Sequence, residues 1–398
     1  MPELPPTGPE VGTVLIAHPG AELYGSDRVM LETVTGLVER RWRVIVAMPT
    51  DGPLFAAARS LGAETVLIAA PVIRKRLLYP QHLASFMAGS VGAARRIDTL
   101  LKRVRPDVVY VSTVTVPLWI LRARRRRIPV LCHVHESERA MPVMLREALA
   151  WPLLLADRVI TNSRFSMESL TEVVPSLARR TSVIYNGVAG PDAVRLPRPE
   201  VGDGLRIAYV GRLSPRKGVD VAIAALGVLT AHGVPASLDI VGGVFPGYEW
   251  YEQQLHAQVA TLGLGERVRF HGFRASIWHT LNEADVAVVP SRTEEPFGNT
   301  AVEAVLAGRP VIVSAIGGLG EAIDGFASAV SVDADDEIAL AEALHRVAVT
   351  WSAFRRSAVA LAPMAARRYA PETYREAISA EIIQLLARAD DGSMALAS

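Results

Sequence analysis

The sequence predicts two doubly wound α/β domains, each built on a parallel sheet with helices on both faces. Short runs rich in Val, Ile and Leu alternate with longer helical patterns from one end of the chain to the other. These runs are almost wholly apolar, which is typical of parallel strands covered on both faces. With 398 residues, the chain is long for one hydrophobic core and long enough for two.

The predicted strands fall into two sets. The first set is residues 13–18, 43–48, 65–69, 107–112, 129–134 and 157–162, and the second is residues 205–210, 237–242, 267–272, 285–290 and 309–314. The longer patterns between these runs have the helical period, so each set predicts one sheet with crossover helices.

A segment rich in proline and glycine separates the two sets, and it has no periodic apolar pattern. The predicted domains are residues 1–187 and 204–350, joined by a linker at 188–203. Residues 351–398 are predicted to form terminal helices that pack back on the N-terminal domain. Two such sheets that face each other across a hinge bind ligands in the cleft at the carboxyl ends of their strands.

Composition excludes several classes of protein. The net charge is +1, so no overall positive field attracts nucleic acid. Cys132 is the only cysteine, which excludes a disulfide within the chain and fits the reducing cytoplasm. The sequence has no uninterrupted apolar run of about 18 residues and does not begin like a signal peptide, so we expect a cytoplasmic protein.

Arginine supplies nearly all of the basic side chains, and the lysines are only Lys75, Lys102 and Lys217. The skew indicates a GC-rich bacterial genome rather than special chemistry, but it draws attention to each lysine.

One stretch, residues 284–314, carries a chemical signal at the start of a predicted helix. Gly298, Asn299 and Thr300 open that helix, and the free N–H groups of a first turn attract an anion such as phosphate. Glu295 precedes the turn and Glu303 lies one turn inside it; carboxylates repel phosphate but accept hydrogen bonds from hydroxyls. A ligand with hydroxyls on both sides of its phosphates, such as a sugar nucleotide, satisfies both features.

A second strand-to-helix turn adds two cations. Gly211 and Arg212 follow the predicted strand 205–210, and Lys217 comes just before the next helix. An arginine fork and a lysine point charge at one turn suit a diphosphate whose bond to a sugar is breaking.

These motifs resemble those of the GT4 family of retaining glycosyltransferases, which have the GT-B fold of two facing Rossmann-like domains. Glu295-Pro-Phe-Gly with Glu303 is similar to the family's donor-site motif, and Gly-Arg-Leu-x4-Lys-Gly at residues 211–218 is similar to its diphosphate clamp. The resemblance implies that Arg212 and Lys217 hold the diphosphate, that Glu295 binds the donor sugar with Phe297 beside it, and that Glu303 binds the ribose. It implies metal-independent transfer, with no cofactor beyond a UDP- or GDP-sugar.

The resemblance extends to other strand ends. His271, Gly272 and Phe273 match the segment that holds the nucleotide base, mainly through the main chain. At the end of the strand 129–134, His135 is favoured over His133 as the histidine that contacts the donor sugar.

The first predicted helix begins with Gly25 and Ser26, where the family has two adjacent glycines. This loop is expected to contact the donor or to shape the acceptor site.

The predicted reaction is attack on the same face of the sugar, with the leaving phosphate accepting the acceptor's proton, because no carboxylate nucleophile is evident. The catalytic residues are predicted to be His135, Glu295, Arg212 and Lys217. Polysaccharide, glycolipid and small-metabolite acceptors all stay open. A sugar-nucleotide epimerase of the same architecture and a non-catalytic nucleotide-sugar binding protein are the alternatives, and the absence of Gly-x-Gly-x-x-Gly after the first strand disfavours an NAD dehydrogenase.

Two further features have simpler explanations. Asp-x-Asp within residues 333–336 precedes a predicted helix, where aspartate acts as a cap rather than as a metal ligand. The arginine-rich segments 71–80 and 116–129 are predicted to be solvated helix faces. Their alternative role is peripheral contact with an anionic membrane, at its inner face.

Overall fold

The computed structural model describes residues 10–22, 25–73, 80–137, 139, 141–245 and 247–395. The chain divides into two compact units, Met1–Gly187 with Pro371–Ser398, and Val188–Ala370. In the described part of the chain, no helix combines the length and apolarity needed to cross a bilayer.

The first unit contains a seven-stranded parallel sheet in the order β3-β2-β1-β4-β5-β6-β7. Its strands are β1 Thr13–Ala17, β2 Arg43–Met48, β3 Glu64–Leu67, β4 Val108–Val111, β5 Val130–Val134, β6 Arg158–Thr161 and β7 Thr181–Val183. Its helices are α1 Gly25–Glu39, α2 Pro53–Ser60, α3 Pro80–Val104, α4 Pro117–Arg125, α5 Val143–Ala150, α6 Arg164–Val173 and α14 Pro371–Ala395, with 3-10 helices at Trp151–Leu155 and Pro175–Arg180.

Helices cover both faces of this sheet, and alternate residues of β1 show how. Leu15 and Ala17 belong to one core cluster, which also contains buried residues of α3 and α4. Val14 and Ile16 belong to a second cluster on the opposite face, which contains residues of α1, α2 and α14. All four side chains are 0% exposed, which explains why β1 reads as a continuous apolar run.

The second unit contains a six-stranded parallel sheet in the order β10-β9-β8-β11-β12-β13. Its strands are β8 Leu205–Val210, β9 Ala236–Val241, β10 Val268–Phe270, β11 Val286–Val289, β12 Val311–Ser314 and β13 Ala329–Val332. Its helices are α7 Val219–Ala231, α8 Glu249–Thr261, α9 Trp278–Glu283, α10 Asn299–Leu306, α11 Leu319–Ala322, α12 Glu337–Val349 and α13 Trp351–Arg368, with a 3-10 helix at Pro215–Lys217.

The predicted fold class, two doubly wound α/β domains, is confirmed, and each of the eleven predicted strands is present. Two strands were missed, β7 and β13, which lie at sheet edges. Most residues of both strands are only half-buried, so they lack the apolar run that marked the others. The predicted cap is also confirmed, since the Asp336 side chain accepts a hydrogen bond from the Ala339 N–H at 2.8 Å.

The terminal helices require a correction. We predicted that residues 351–398 as a whole pack on the first unit. Only α14 does so, against α1, whereas α13 packs against α10 and α12 of the second unit. Apolar positions at helical spacing mark a buried face, but they do not say which neighbour covers it.

Candidate functional site

The topology of the second sheet brings two distant strand ends together. Strand order reverses between β8 and β11, which are hydrogen-bonded neighbours although about 80 residues separate them. In doubly wound sheets, the loops on the two sides of such a reversal leave the carboxyl edge in opposite directions and define a crevice, which the strand order places between the loops after β8 and β11. The predicted donor-site residues Arg212 and Lys217 follow β8, and Glu295 follows β11.

Lys217 and Glu295 form an ion pair in this crevice. The Lys217 Nζ lies 2.6 Å from Glu295 Oε1, and the Ser291 hydroxyl donates to the same oxygen. Glu295 is 8% exposed. Burial by itself raises the pKa of this carboxyl, but the Lys217 charge and hydrogen bond, with the Ser291 hydroxyl and the nearby Arg216, outweigh it, so the net pKa is lowered.

Only one oxygen of Glu295 is used in this way. Both Lys217 and Ser291 bind Oε1, and Oε2 accepts no hydrogen bond from any described residue. The pair therefore holds the carboxylate ionised and oriented, and it leaves one acceptor oxygen for a ligand.

Glycines allow the loops of this crevice to approach each other closely. A Cβ at Gly218, where φ is 66°, would lie 1.8 Å from the Pro290 carbonyl oxygen. A Cβ at Gly242, where φ is 151°, would lie 1.8 Å from the Gly211 carbonyl oxygen. The first contact joins the start of α7 to the end of β11, and the second joins the ends of β9 and β8, so a side chain at either glycine would push these segments apart.

Arg216, which the sequence analysis did not single out, fixes the loop that leads to Glu295. Its guanidinium donates to the Thr293 hydroxyl and to the Glu294 carbonyl oxygen, both at 3.2 Å. Its own carbonyl oxygen accepts from the Arg292 N–H at 2.9 Å. In the sequence, only its place between Arg212 and Lys217 indicated a role for Arg216. That place does not show whether the arginine binds a ligand or fixes a loop.

Arg212 lies two residues after the end of β8. Its guanidinium carbon is 3.7 Å from the centroid of the Phe245 ring, a cation–π contact that holds the side chain at the strand end. The Tyr209 hydroxyl donates to the Arg212 carbonyl oxygen at 3.0 Å. Burial and the charge of Glu295 raise the pKa of Tyr209, while Arg212 lowers it, so both charges act on one buried phenol.

The helix α10 begins as predicted, with Gly298 as its N-cap at a φ of 128°. Asn299 and Thr300 form its first turn and are half-buried, as is Glu303 one turn later. Phe297 requires a correction, because its ring is 2% exposed and packs against Tyr369 at a centroid distance of 5.7 Å. It is therefore a core residue rather than one whose ring contacts the donor.

The predicted base-binding segment follows β10. The His271 Nε2 lies 2.6 Å from Asp239 Oδ1 on β9, so the imidazole is held by its neighbour. Gly272 has a φ of 65°, and its carbonyl oxygen accepts from the Gly242 N–H at 2.9 Å. Phe273 is 70% exposed, which leaves its ring free to contact solvent or a planar ligand.

The strand order of the first sheet reverses between β1 and β4, which is the corresponding point of a doubly wound sheet. His18 follows β1; its Nδ1 is 2.6 Å from the Ser112 hydroxyl oxygen, and its Nε2 is 2.9 Å from Asp27 Oδ1. Asp27 stands in the first turn of α1, beside the predicted Gly25 and Ser26, which are both exposed. Sequence reading missed His18 and Asp27, although both stand where a strand or a helix meets the carboxyl edge of the sheet.

His133 and His135, at the end of β5, have different environments. Their ring centroids are 3.9 Å apart. His133 is 0% exposed and shares a hydrogen bond with the Tyr110 hydroxyl at 2.5 Å, so it is a packed core residue. His135 is half-buried and its Nδ1 has no hydrogen-bond partner among the described residues.

Both imidazoles are neutral near neutral pH. Burial, together with the neighbouring His18, lowers the pKa of His135 to about 3. Burial and the neighbouring His135 lower the pKa of His133 well below its usual value. A neutral His135 is able to exchange a hydrogen bond with a hydroxyl, but it is a very weak base.

The arginine-rich segment 116–129 contains α4, whose arginines lie on its exposed and half-buried side. Trp119 and Ile120 are buried, and Arg122 and Arg126 both pair with Asp98. Most of the segment 71–80, with Lys75, lies outside the described residues. Among the residues that the structure does describe, no cluster of His, Cys, Asp and Glu has the arrangement of a metal site.

Two family models match this chain, one in each half. Residues 24–189 match the model described as Glycosyltransferase Family 4, and residues 196–351 match the model described as Glycosyl transferases group 1. Together the two models span most of the chain.

Curated relatives include glycogen synthase of Mycobacterium tuberculosis, which is 34% identical over 259 residues, 61% of this chain and 60% of that protein. D-inositol 3-phosphate glycosyltransferase of Salinispora tropica is 32% identical over 216 residues, 48% of this chain and 44% of that protein. The matched stretch therefore covers less than two thirds of either relative.

Solved structures resemble the whole fold. Anabaena HepE in complex with UDP-glucose superimposes with a TM-score of 0.77 at 21% identity, covering 94% of this chain and 100% of that one. A glycosyltransferase from Rickettsia africae gives a TM-score of 0.76 at 17% identity, covering 94% and 98%. At these identities the likeness is one of fold.

Proposed function

We propose that this chain, which belongs to the GT4 family of glycosyltransferases and has the GT-B fold, moves a sugar from a nucleoside-diphosphate sugar to a hydroxyl group of an acceptor. The observation that carries the proposal is the Lys217–Glu295 pair at the β8–β11 crevice. Lys217 supplies a positive charge for a diphosphate, and Glu295 keeps one oxygen that accepts a hydrogen bond from a sugar hydroxyl.

The cations of the crevice would stabilise the leaving group. As the bond to the sugar breaks, negative charge grows on the diphosphate, and charges that are already in place stabilise it without reorganisation. Arg212, held over Phe245, and Lys217, held by Glu295, supply two such charges. The N–H groups of the first turn of α10 supply a partial one. Because the protein itself supplies this charge, we propose transfer without a metal ion.

Glu295 would orient the donor sugar rather than attack it. Its pKa is lowered, so it is ionised near neutral pH, but two hydrogen bonds to Oε1 weaken it as a nucleophile. This favours attack by the acceptor hydroxyl on the face that the leaving group occupies, with the departing phosphate accepting the proton. Such a reaction retains the configuration of the sugar.

The donor is proposed to be a UDP- or GDP-sugar. Anabaena HepE, which has a similar fold, was solved with UDP-glucose. In this chain the main chain at Gly272, the exposed ring of Phe273 and the half-buried Glu303 would receive the base and the ribose. The neutral His135 of the first unit would hydrogen-bond a hydroxyl group. The acceptor is a hydroxyl of a glycan, a glycolipid or a small metabolite, and the place of reaction is the cytoplasm.

Thermal shift against UDP, GDP, ADP and dTDP tests the donor site. A nucleotide present at about 100 times its Kd stabilises the folded protein by about 2.7 kcal/mol, and only the true donor's nucleotide should do so at micromolar concentration. Lys217→Ala should abolish the shift. The matched control is Lys102→Ala, an exposed lysine on α3 of the other unit, which should leave it intact.

An unchanged shift in Lys217→Ala would remove Lys217 from the donor site. Incubation with nucleotide sugars that contain the bound nucleotide, together with a panel of acceptors, then tests the transfer reaction. NMR of the product gives its anomeric configuration. An inverted product, or a trapped glycosyl-enzyme adduct, would exclude the proposed mechanism. Conversion of the donor without an acceptor would indicate an epimerase, and tight binding without turnover would indicate a binding protein.

A further inference from the structure

The face of the first sheet that α1 and α14 cover contains several deeply buried polar side chains. Thr33 on α1, Tyr110 on β4, His133 on β5 and Tyr374 on α14 are each no more than 2% exposed. Tyr110 and Tyr374 belong to the apolar cluster of this face. Burial of a polar group costs free energy unless it is hydrogen-bonded, and apolar side chains would fill the same space without that cost. This group of polar residues therefore needs an explanation.

Hydrogen bonds join the four residues in two neighbouring pairs. The Thr33 hydroxyl donates to the Val29 carbonyl oxygen at 3.3 Å and shares a hydrogen bond of 2.6 Å with the Tyr374 hydroxyl. The Tyr110 hydroxyl shares one of 2.5 Å with His133 Nδ1. Burial raises the pKa of Tyr110 well above its usual value, with Tyr374 and Thr33 also acting on it, so the two pairs are neighbours. Tyr110 therefore keeps its proton and its hydrogen bond near neutral pH.

The network fixes the plane of the His133 ring. Besides the hydrogen bond to Nδ1, the Tyr110 ring meets the imidazole edge-on at a centroid distance of 6.0 Å, and the Tyr374 ring lies nearly parallel to it at 6.2 Å. The His135 ring packs against the same imidazole, with the centroids 3.9 Å apart and the planes tilted by 38°. His133 thus lies between the buried network and the candidate site.

His135 has little other support for its ring. Its main-chain N–H donates to Glu136 Oε2 at 3.0 Å, which fixes the backbone but not the imidazole. Its Nδ1 is buried and finds no hydrogen-bond partner among the residues that the structure describes. Packing against His133 therefore limits the rotation of the His135 ring.

We propose that Tyr110 is a positioning residue, which fixes the His133 ring and through it the orientation of His135. This inference rests on the proposed function in one respect, the hydrogen bond from His135 to a substrate hydroxyl. A ring that is already oriented forms that hydrogen bond without losing further rotational freedom, and a small displacement of such a group is enough to slow a reaction.

NMR of the full chain tests the positioning without any substrate. Tyr110→Phe removes the hydroxyl and keeps the ring. The imidazole ¹⁵N signals of the nine histidines are compared at pH 7.5, with His135→Gln used to assign those of His135. In Tyr110→Phe the His135 signals should shift or broaden. The control is Ile120→Val, a 0% exposed core residue on the opposite face of the sheet, which should lower stability and leave the His135 signals unchanged.

Identical His135 signals in Tyr110→Phe and the wild type would overturn the inference. Thr33→Val, at the far end of the network, supplies a milder variant in case Tyr110→Phe does not fold. It should change the His135 signals in the same direction and by less.

Kinetics show whether Tyr110 acts through His135. Nucleotide release from UDP-glucose or GDP-glucose, in the presence of the acceptor panel, should have a kcat at least tenfold lower in Tyr110→Phe, with the Kd of the nucleotide unchanged. The double variant Tyr110→Phe/His135→Gln should be no slower than His135→Gln alone, because residues that act through one another are not additive.

Multiplied losses in the double variant would mean that Tyr110 acts independently of His135, and they would overturn the inference. Wild-type kcat in His135→Gln would instead remove His135 from the proposed function. The NMR comparison would then still support or contradict the fixing of its ring.

Discussion

The ammonium of Lys217 lies 2.6 Å from the carboxylate of Glu295, although 78 residues separate them along the chain. One follows β8 and the other follows β11, and the reversal of strand order makes these strands neighbours. The pair is therefore a tertiary contact at the point where a doubly wound sheet opens a crevice. It also has consequences for stability that are measurable without any substrate.

Lys217→Met should destabilise the protein in a pH-dependent way. The pKa of Glu295 is lowered in the folded protein, so this group adds stability above its usual value of 4.5 and the addition disappears as the pH falls through the folded pKa. Without Lys217, burial leaves an unpaired charge, and we expect a loss of about 2 kcal/mol at pH 7.5. The loss should be smaller near pH 4.5, because in the variant the buried Glu295 carboxyl, no longer paired with Lys217, takes up a proton.

Urea unfolding at the two pH values measures this difference, with Lys102→Met as the control that should match the wild type at both. An equal loss at both pH values would mean that Lys217 stabilises the fold through packing and not through Glu295.

Gly218→Ala and Gly233→Ala separate backbone strain from a steric clash. The two glycines have similar left-handed backbones, with φ of 66° and 72°. A Cβ at Gly233 meets nothing within 4 Å, so we expect a loss of about 1 kcal/mol from strain alone. At Gly218 the Cβ would also meet the Pro290 carbonyl oxygen, and the loss should be about 3 kcal/mol or more, with the nucleotide-induced shift abolished. Similar losses in urea unfolding would contradict the close contact of the two loops.

Arg309→Met should lower stability without weakening nucleotide binding by the folded protein. Arg309 is 0% exposed and donates to the carbonyl oxygens of Arg195, Leu281 and Asn282, among others. Burial lowers its pKa to about 10, so it is still a cation at neutral pH. Its removal leaves several buried carbonyls unpaired, at a cost of about 3 kcal/mol.

Chemical unfolding checks the loss, against the exposed Arg346→Met on α12, which should stay within about 0.5 kcal/mol of the wild type. A larger Kd for the nucleotide in the folded Arg309→Met protein would mean that the substitution also changes the candidate site.

His135→Gln should make the protein less sensitive to acid. The pKa of His135 is lowered from 6.5 to about 3, so its neutral form adds stability above pH 6.5. That addition is lost as the pH falls from 6.5 towards 3. Each pH unit in this range removes up to about 1.4 kcal/mol per histidine, so between pH 6.5 and 4.5 the variant should lose about 2 kcal/mol less than the wild type.

The imidazole C–H signals of His135 in NMR give an independent check, and they should not titrate between pH 5 and 8. A midpoint near 6.5 would show that solvent reaches the ring freely.

Local pattern was sufficient to predict the parallel strands and the start of α10, because these depend on near neighbours in the chain. Continuous apolar runs mark strands covered on both faces, as in β1 and β11. The motifs around Lys217 and Glu295 were recognisable for a similar reason, since each motif is a short loop between a strand and a helix.

Packing between distant segments decided the rest. The resemblance favoured His135 over His133, but only the fold shows that His133 is bonded to Tyr110 in the core and that His135 is half-buried. Only the fold shows that Phe297 is a core residue and that α13 packs within the second unit. The burial of a residue and its contacts depend on which elements the strand order makes neighbours. A local sequence pattern shows that a face is apolar but not which neighbour covers it.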